Sequence, residues 1–446
     1  MTKIWAPAFA GATKLAAGAT KLAAGATFAI VSSAALADTI TVVTSFPKEL
    51  TTAYKAAYEK KHPQDKVEIL NKGTSAGIAY VREQPAGSRA EIFWASAPDA
   101  FEVLAGENLL QKVDIRTGKI PEKVGSYPIN DPEGFYRGQA LAGYGLMWNT
   151  RYMQANKLPA PKEWADLTKP IYHGHVATSS PSRSGTTHLT FETILQGEGW
   201  DAGWNQILQI TGNCAAVTER SFGVPDGVQN GQFGIGLVID FFGLAAKASG
   251  FPTEFVYPSV TAIVPANIAA IAGSRSVEGA KRFMEFTLSD EGQMLLLDPK
   301  ISRLPVLEST YARAPAGYPN PFGGTIQAKV NFDSNLSKSR YYLVSSLFDQ
   351  VITFRHKELV AATKAIHEAE KRLGGRSSPQ LEEAKKLAWT VPVTAQQAQD
   401  KELLKVFAAK KGDEAGVRRK TQVEEEWSSK ARANYIRAAE LASAAR

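Results

Sequence analysis

Strands and helices alternate along the first half of this 446-residue chain, and this alternation constrains the fold more than any other feature. The predicted strands, rich in β-branched and aromatic residues, are ITVVT (40–44), KVEIL (66–70), EIFWAS (91–96), HVATSS (175–180) and FGIGLVID (233–240). Helical patterns such as Lys48–Lys61 and Thr187–Gln196 lie between them. Strands that alternate with helices form parallel sheets covered on both faces, so the sequence predicts an α/β architecture.

The first 37 residues have the pattern of a signal peptide. Lysines without any acidic residue precede an apolar run (22–36), and Ala35-Leu36-Ala37 provides a small-residue cleavage site before Asp38. We expect export with cleavage after Ala37, which leaves a soluble mature protein in the periplasm.

Charge and cysteine content exclude some classes of protein. The formal net charge is +7, but the Lys and Arg residues are scattered along the chain, so nucleic-acid binding is not expected. The single cysteine, Cys214, excludes an intramolecular disulfide. Stability must therefore come from burial of apolar surface.

Two segments indicate that the chain crosses between two lobes. The first is the glycine-containing apolar run AGYGLMWNTRYM (142–153), and the second is the long run 255–274, which leads into a helix at Val277–Leu288. We predict one lobe from residues 38–141 and 264–330, and a second lobe from residues 142–263.

From about residue 334 the composition changes to that of a helical extension (334–446) with three to four segments. Apolar residues recur at helical spacing at Leu359, Ala362, Ile366, Ala369 and Leu373. Gly374-Gly375 should end that helix and Ser378-Pro379 should begin the next. The final stretch, Arg418–Arg446, is predicted as a charged amphipathic helix that packs on a lobe or binds a partner.

Two segments carry a family resemblance: ITVVTSFPKELTTAYKAAYEKKHP (40–63) and SVEGAKRFMEFTLSDEGQMLL (276–296). Over roughly residues 39–310 the chain resembles solute-binding proteins of ABC importers, in the branch of ferric-iron, hexose-phosphate and phosphoglycerate receptors. The resemblance implies a monomeric, two-lobed periplasmic-binding-protein fold of type II with two hinge crossings, and ABC permease subunits as partners. The extension looks most like phosphoglycerate regulatory members, which leaves a sensor role with a membrane kinase open.

Small hydroxyl residues follow several predicted strands at the edge where open α/β sheets bind ligands. Hydroxyl groups and free N–H groups at helix N-termini suit an anion, above all a phosphate. The predicted ligand-binding residues are Thr44, Ser45, Thr74, Ser75, Ser96, Ser182, Arg183, Ser184, Thr186 and Thr187. The alternative is that these residues only cap helices.

Asp240 emerges at the end of the strand GIGLVID and completes the predicted site. A carboxylate there would repel phosphate but would accept hydrogen bonds from hydroxyl groups, so we predict that Asp240 contacts a polyol part of the solute. The alternative is a cap for the helix that follows. The expected ligand is a small anionic solute, and we assign no cofactor, no metal ligand and no catalytic residue.

Two other functions fit less well. Ferric-iron receptors resembling this chain use a tyrosine pair where this sequence has Phe241-Phe242, and Tyr341-Tyr342 lies in the extension instead. The segment Gly73–Gly77 matches the G-x-S-x-G pattern of serine hydrolases, yet only one predicted strand precedes it in the mature chain. A ferric-iron-binding protein therefore stays an alternative that fits less well, a serine hydrolase fits less well still, and we expect no enzyme.

Overall fold

The computed structural model describes residues 38–409 and 412–446, so the predicted signal peptide (1–37) lies outside the described residues. The strands are β1 (Thr39–Thr44), β2 (Lys66–Asn71), β3 (Ile92–Ala95), β4 (Leu110–Gln111), β5 (Lys123–Val124), β6 (Tyr127–Pro128), β7 (Arg137–Asn149), β8 (Val176–Ser179), β9 (Cys214–Thr218), β10 (Ile235–Ile239), β11 (Thr253–Val256), β12 (Ile263–Ile271) and β13 (Leu304–Pro305).

Most of the α-helices lie between these strands. The last five described α-helices follow β13 one after another. The α-helices are α1 (Lys48–Lys61), α2 (Thr74–Glu83), α3 (Pro98–Gly106), α4 (Thr150–Ala155), α5 (Gly185–Glu198), α6 (Trp200–Gly212), α7 (Gly223–Gln229), α8 (Asp240–Ala248), α9 (Val277–Leu288), α10 (Asp290–Leu295), α11 (Ser334–Val351), α12 (His356–Leu373), α13 (Pro379–Ala388), α14 (Lys401–Phe407) and α15 (Glu414–Ala444).

The main sheet has the strand order β2-β1-β3-β12-β7-β10-β8-β9. The long strand β7 joins its two halves, because residues 137–143 of β7 pair with β12 whereas residues 144–148 pair with β10. The chain passes along β7 from the half that contains β1 to the half that contains β10. It returns through β11 and β12.

The α/β architecture predicted from the sequence is confirmed, but the sheet is mixed rather than parallel. The pairs β1–β2, β1–β3, β8–β10 and β8–β9 are parallel. In contrast, β7 is antiparallel to β10, β11 and β12. The reason is connectivity: the returning strand β12 pairs directly beside β7, and adjacent strands that run out and back are antiparallel.

Burial on both faces explains why the central strands have continuous apolar sequences. All residues of β3 (IFWA), β10 (IGLVI) and β12 (IVPANIAAI) are buried. A strand covered by helices on both sides has no solvent face and needs no alternation of polar residues. These strands form a rigid frame, and the loops at their carboxyl ends are held by it.

In its described residues the helical extension contains five α-helices, α11 to α15, rather than three or four segments. The apolar stripe from Leu359 to Leu373 is buried, α12 ends before Gly374 with a left-handed φ of 62°, and Ser378 caps α13 as predicted. The last helix begins at Glu414, before the predicted start, and packs against α12 and α13. No helix in the described ranges is long and apolar enough to cross a membrane.

One attachment of the extension is to α6. The indole Nε1 of Trp200 donates to the carbonyl of Val393 (2.8 Å), and the Asn205 amide donates to the carbonyl of Trp389 (3.1 Å). At Gly212, α6 approaches α12 so closely that a Cβ atom would lie 2.1 Å from Thr363 Oγ1. Glycine at this position is therefore required for the contact between the two helices.

We predict that Gly212→Ala destabilises the protein, although alanine is the better helix former. Helix propensity alone would stabilise the variant by about 1 kcal/mol, but overpacking against Thr363 should lower the free energy of unfolding by about 1–3 kcal/mol. Urea denaturation measures the free energy of unfolding and therefore the sign of its change. Gly106→Ala in α3 is the control, because its Cβ would meet only the flexible Lys338 ammonium at 3.3 Å. Equal stabilisation of both variants would contradict this packing.

Candidate functional site

A narrow cavity lies where the loops after β1, β2, β3, β8, β9 and β10 converge. Hydroxyl and guanidinium groups dominate its polar lining. The hydroxyl groups come from Ser45, Thr74, Ser96, Ser184, Thr186 and Ser221, and the guanidinium groups from Arg183, Arg220 and Arg303. Because these strands belong to both halves of the sheet, both halves contribute to the cavity.

The structure brings six of the predicted residues together on this cavity: Ser45, Thr74, Ser96, Arg183, Ser184 and Thr186. The other predicted residues make contacts elsewhere. Thr44 Oγ1 accepts from the Phe46 N–H (3.1 Å), Ser75 Oγ pairs with Tyr341 OH (3.2 Å), Ser182 Oγ pairs with Ser180 Oγ (2.8 Å), and Thr187 Oγ1 pairs with Ser179 Oγ. The expectation that every hydroxyl of these loops faces the ligand is therefore too broad.

Two helices from opposite halves of the sheet direct their N-termini toward the cavity. Gly73 is the N-cap of α2 and Ser184 is the N-cap of α5. A Cβ atom at Gly73 would lie 2.8 Å from the Arg183 carbonyl oxygen, and one at Gly185 would lie 2.7 Å from Ala97 Cβ. These glycines let the two sides touch around the cavity, which places both helix N-termini within reach of one anion.

Arg303 is the residue that the sequence analysis missed. Its side chain is 1 % exposed and lies between the rings of Phe46 and Phe241, with the guanidinium carbon 4.0 Å and 3.7 Å from their centroids. Nη1 donates to Ser96 Oγ (3.0 Å), whereas Nε and Nη2 have no hydrogen-bond partner within the described residues. Arg303 precedes β13, whereas the predicted site residues follow strands. The pattern of polar residues after strands therefore does not include Arg303.

The chemistry of Arg303 points to an anionic ligand. Burial lowers the pKa of the guanidinium to about 9, so the group stays charged at neutral pH. A buried charge with two unused N–H donors is costly unless an acceptor reaches it. A carboxylate or phosphate oxygen pair matches the planar fork of a guanidinium and would supply that acceptor.

Arg183 and Arg220 approach the cavity from the loops after β8 and β9. Arg220 Nη1 donates to Asn71 Oδ1 (3.1 Å), which connects the two halves of the sheet, and its guanidinium lies over the Phe222 ring at 4.7 Å. Arg183 is half exposed and lies 3.9 Å from the exposed Glu219 carboxylate. Among the described residues, the cavity lining includes these cations and no carboxylate, so its potential favours an anion.

Asp240 is 1 % exposed and does not line the cavity. One carboxylate oxygen accepts from the Gly143 N–H (2.7 Å) and Tyr257 OH (3.0 Å), and the other accepts from the Phe241 N–H (2.8 Å). Burial raises the pKa of Asp240 to about 7. The carboxylate therefore connects the start of α8 to the middle of β7, and its charge helps to keep the nearby Arg303 protonated.

The cavity is small and opens beside a much larger cleft. Its volume is only ≈ 10 Å³, whereas the neighbouring cleft has ≈ 1060 Å³ and shares the walls Phe222, Phe241, Phe242 and Arg303. Helix α1 lines the other side of the cleft with residues such as Leu50. A solute larger than water must therefore push the walls of the cavity apart or extend into this cleft.

Two tyrosine and two histidine side chains of types that can bind metal ions are engaged in other contacts. Tyr341 contacts Ser75, and Tyr342 OH accepts from Arg82 (3.0 Å). His173 pairs with Asn213 (3.1 Å) and His175 with Tyr152 (2.8 Å). In the described part of the chain, no three His, Cys, Asp or Glu side chains are grouped to hold a metal ion.

The chain is similar to known proteins in sequence and in fold. The chain is 36% identical over 272 residues to the phosphoglycerate transport regulatory protein PgtC of Salmonella typhimurium, a match that covers 60% of this chain and 65% of the length of PgtC. It thus spans less than two thirds of this relative.

Solved structures of periplasmic binding proteins share the fold. AfuA of Actinobacillus pleuropneumoniae, solved with fructose-6-phosphate bound, superposes with a TM-score of 0.63 at 18% identity over 70% of this chain and 98% of AfuA. Iron-bound HitA of Pseudomonas aeruginosa gives 0.55 at 18% identity over 69% and 98%. Residues 89–322, more than half of the chain, match the family described as bacterial extracellular solute-binding protein. The protein is a member of that family.

Proposed function

We propose that this protein is the periplasmic receptor of an ABC importer and binds a small phosphorylated or other oxyanionic organic solute. The observation that carries the proposal is the buried Arg303 guanidinium, which lines the cavity and whose Nε and Nη2 have no hydrogen-bond partner among the described residues. Family membership and the signal-peptide pattern of residues 1–37 support export and solute capture. The role needs no catalysis, no cofactor and no nucleic acid.

The cavity has enough donors for useful affinity. Hydrogen bonds to charged groups contribute roughly 1.5–3 kcal/mol each, and Arg303 offers two that are not used by the protein. The hydroxyl groups of Ser45 and Thr186 and the N-termini of α2 and α5 add further donors. After the cost of association, this set is sufficient for micromolar binding.

We further propose that the solute draws two lobes together. The lobes are residues 38–141 with 264–330, and residues 142–263, and the hinges are β7 and the segment between β11 and β12. A ligand can drive closure only if it binds the closed form better, which requires contacts from both lobes. Ser45, Thr74, Ser96 and Arg303 belong to the first proposed lobe, and Arg183, Ser184 and Thr186 to the second.

The relatives suggest solutes to test. PgtC is a phosphoglycerate transport regulatory protein and AfuA was solved with fructose-6-phosphate bound, and both compounds carry an oxyanion that could pair with Arg303. PgtC is described as regulatory, so a second candidate function is a sensor that presents its ligand-bound form to a membrane kinase. The five-helix extension favours this candidate, because it offers a docking surface beyond the region shared with the solved structures.

We predict that Arg303→Met abolishes oxyanion binding without destabilising the ligand-free protein. Methionine keeps the apolar stem between Phe46 and Phe241 and removes a buried, incompletely paired charge, so the free energy of unfolding should be unchanged or higher. Affinity should fall at least about 100-fold, since two charge-assisted bonds are lost. Thermal shift and calorimetry with 3-phosphoglycerate, fructose 6-phosphate and inorganic phosphate measure both quantities.

Arg116→Met, at an exposed arginine, controls for the change in net charge. Carboxylates, sulfonates and ferric salts serve as competitors. If Arg303→Met binds the same oxyanion as tightly as the wild-type protein, then Arg303 is not the anion ligand and the proposal is wrong.

We predict that Asp240→Ala acts mainly on stability. Three donors lose a buried acceptor, which should lower the free energy of unfolding by about 2–4 kcal/mol. Asp201→Ala at an exposed position of α6 should cost less than about 1 kcal/mol. Denaturant titration compares them, and calorimetry tests the polyol contact predicted from the sequence. A large loss of affinity with unchanged stability would favour that direct contact instead.

A further inference from the structure

Helix α11, the first helix of the extension, lies directly behind the loops that line the cavity. Three of these loops continue into a residue that contacts α11: Ser75 follows Thr74, Asp99 lies three residues after Ser96, and His188 lies two residues after Thr186. The extension therefore reaches the candidate site from the side opposite to the ligand.

On the side of α2 and α3, two consecutive turns of α11 make polar contacts. Tyr341 OH pairs with Ser75 Oγ at 3.2 Å, and the Ser337 hydroxyl donates to Asp99 Oδ2 at 2.9 Å. Both Ser337 and Asp99 are fully buried. Ser337 and Tyr341 are four residues apart, so they lie on one face of the helix.

The same face of α11 also contacts α5, which belongs to the other half of the sheet. His188 Nε2 lies 3.2 Å from Ser337 Oγ and 3.2 Å from Asp99 Oδ2, and the His188 ring packs against Tyr341 with centroids 4.4 Å apart. Arg340 forms a two-pronged ion pair with the buried Glu192 at 2.8 Å for both bonds. Ser337 therefore contacts one residue from each side of the cavity.

The attachment of the extension is asymmetric. Helices α12 and α13 and the segments that flank them are held to α6 through Thr363, Trp389 and Val393. On the other side, α11 reaches α2 and α3 through Ser337, Tyr341 and, on its flank, Tyr342. The extension is therefore bound to both sides of the cavity, and Ser337 and Tyr341 supply polar contacts on the side of α2 and α3.

We propose that Ser337 and Tyr341 are positioning residues of the solute site, which hold the N-terminal turns of α2 and α3 against α5 so that the ligand loops converge. The effect on affinity rests on the proposed function. The holding of α2 and α3 against α5 by Ser337 and Tyr341 does not require a ligand. If only the converged arrangement binds the solute, the measured affinity equals the intrinsic affinity multiplied by the fraction of molecules in that arrangement. Loss of these contacts therefore weakens binding although neither residue touches the solute.

The test compares Ser337→Ala/Tyr341→Phe with Ser339→Ala, which removes an exposed hydroxyl from the same helix. Spin labels on cysteines at the exposed positions Ala56 of α1 and Ala248 of α8 flank the large cleft, and the native Cys214 is buried. Pulsed electron paramagnetic resonance measures the distance distribution between the labels without ligand. Calorimetry measures the affinity for 3-phosphoglycerate, with inorganic phosphate as the minimal oxyanion.

For the double variant we expect a broader and longer distance distribution and about tenfold weaker affinity, a factor that corresponds to 1.4 kcal/mol. Ser339→Ala should match the wild-type protein in both measurements. An unchanged distance distribution, or a broadened one with unchanged affinity, overturns the positioning role. If the wild-type protein binds neither probe, the proposed ligand class fails, while the distances still decide whether Ser337 and Tyr341 hold the two sides together.

Discussion

The burial of one positive charge organises the candidate site. Arg303 is enclosed by Phe46 and Phe241 and is bonded on one nitrogen only, so the folded protein carries the cost of a desolvated guanidinium without a full set of acceptors. An oxyanion reduces that cost and gains charge-assisted bonds at the same time. The cavity itself, at ≈ 10 Å³, is about the size of one water molecule, so an oxyanion must push its walls apart or enter from the neighbouring cleft to reach the guanidinium.

The frame around Arg303 explains how its charge can be tolerated. Asp240 lies behind the site, bonded to Gly143 and Tyr257, and its negative charge favours the protonated guanidinium. Since Asp240 also connects β10 to β7, one carboxylate supports both the electrostatics of the cavity and the strand that joins the two halves of the sheet. The extension adds a second support, because α11 packs against α3 and α5 and pairs with Ser75 of α2 through Tyr341.

Local sequence patterns were sufficient to predict the elements and many of the loops. Helices α1 and α9 have the predicted bounds, Gly374 ends α12, and six hydroxyl or arginine residues of the predicted set share one cavity. Each of these features depends on residues that are close in the chain. Hydrophobic periodicity and the residues typical of turns predict such features well.

Features that depend on long-range contacts could not be predicted. Ser75 pairs with a residue 266 positions away, so its hydroxyl follows the loop pattern but faces α11 rather than the cavity. The antiparallel pairing of β7 depends on which strand returns beside it, and no local signal reports this. Arg303 precedes a short strand in an apolar stretch, and only the assembled fold shows that its charge is buried next to the hydroxyl loops.

The most direct measurement of the central claim is a crystal structure of the protein grown with 3-phosphoglycerate. We expect an oxyanion of the solute within hydrogen-bond distance of Nε and Nη2 of Arg303, with further bonds to hydroxyl groups from both halves of the sheet. A solute bound only in the large cleft, with both nitrogens of Arg303 still unpaired, would contradict it.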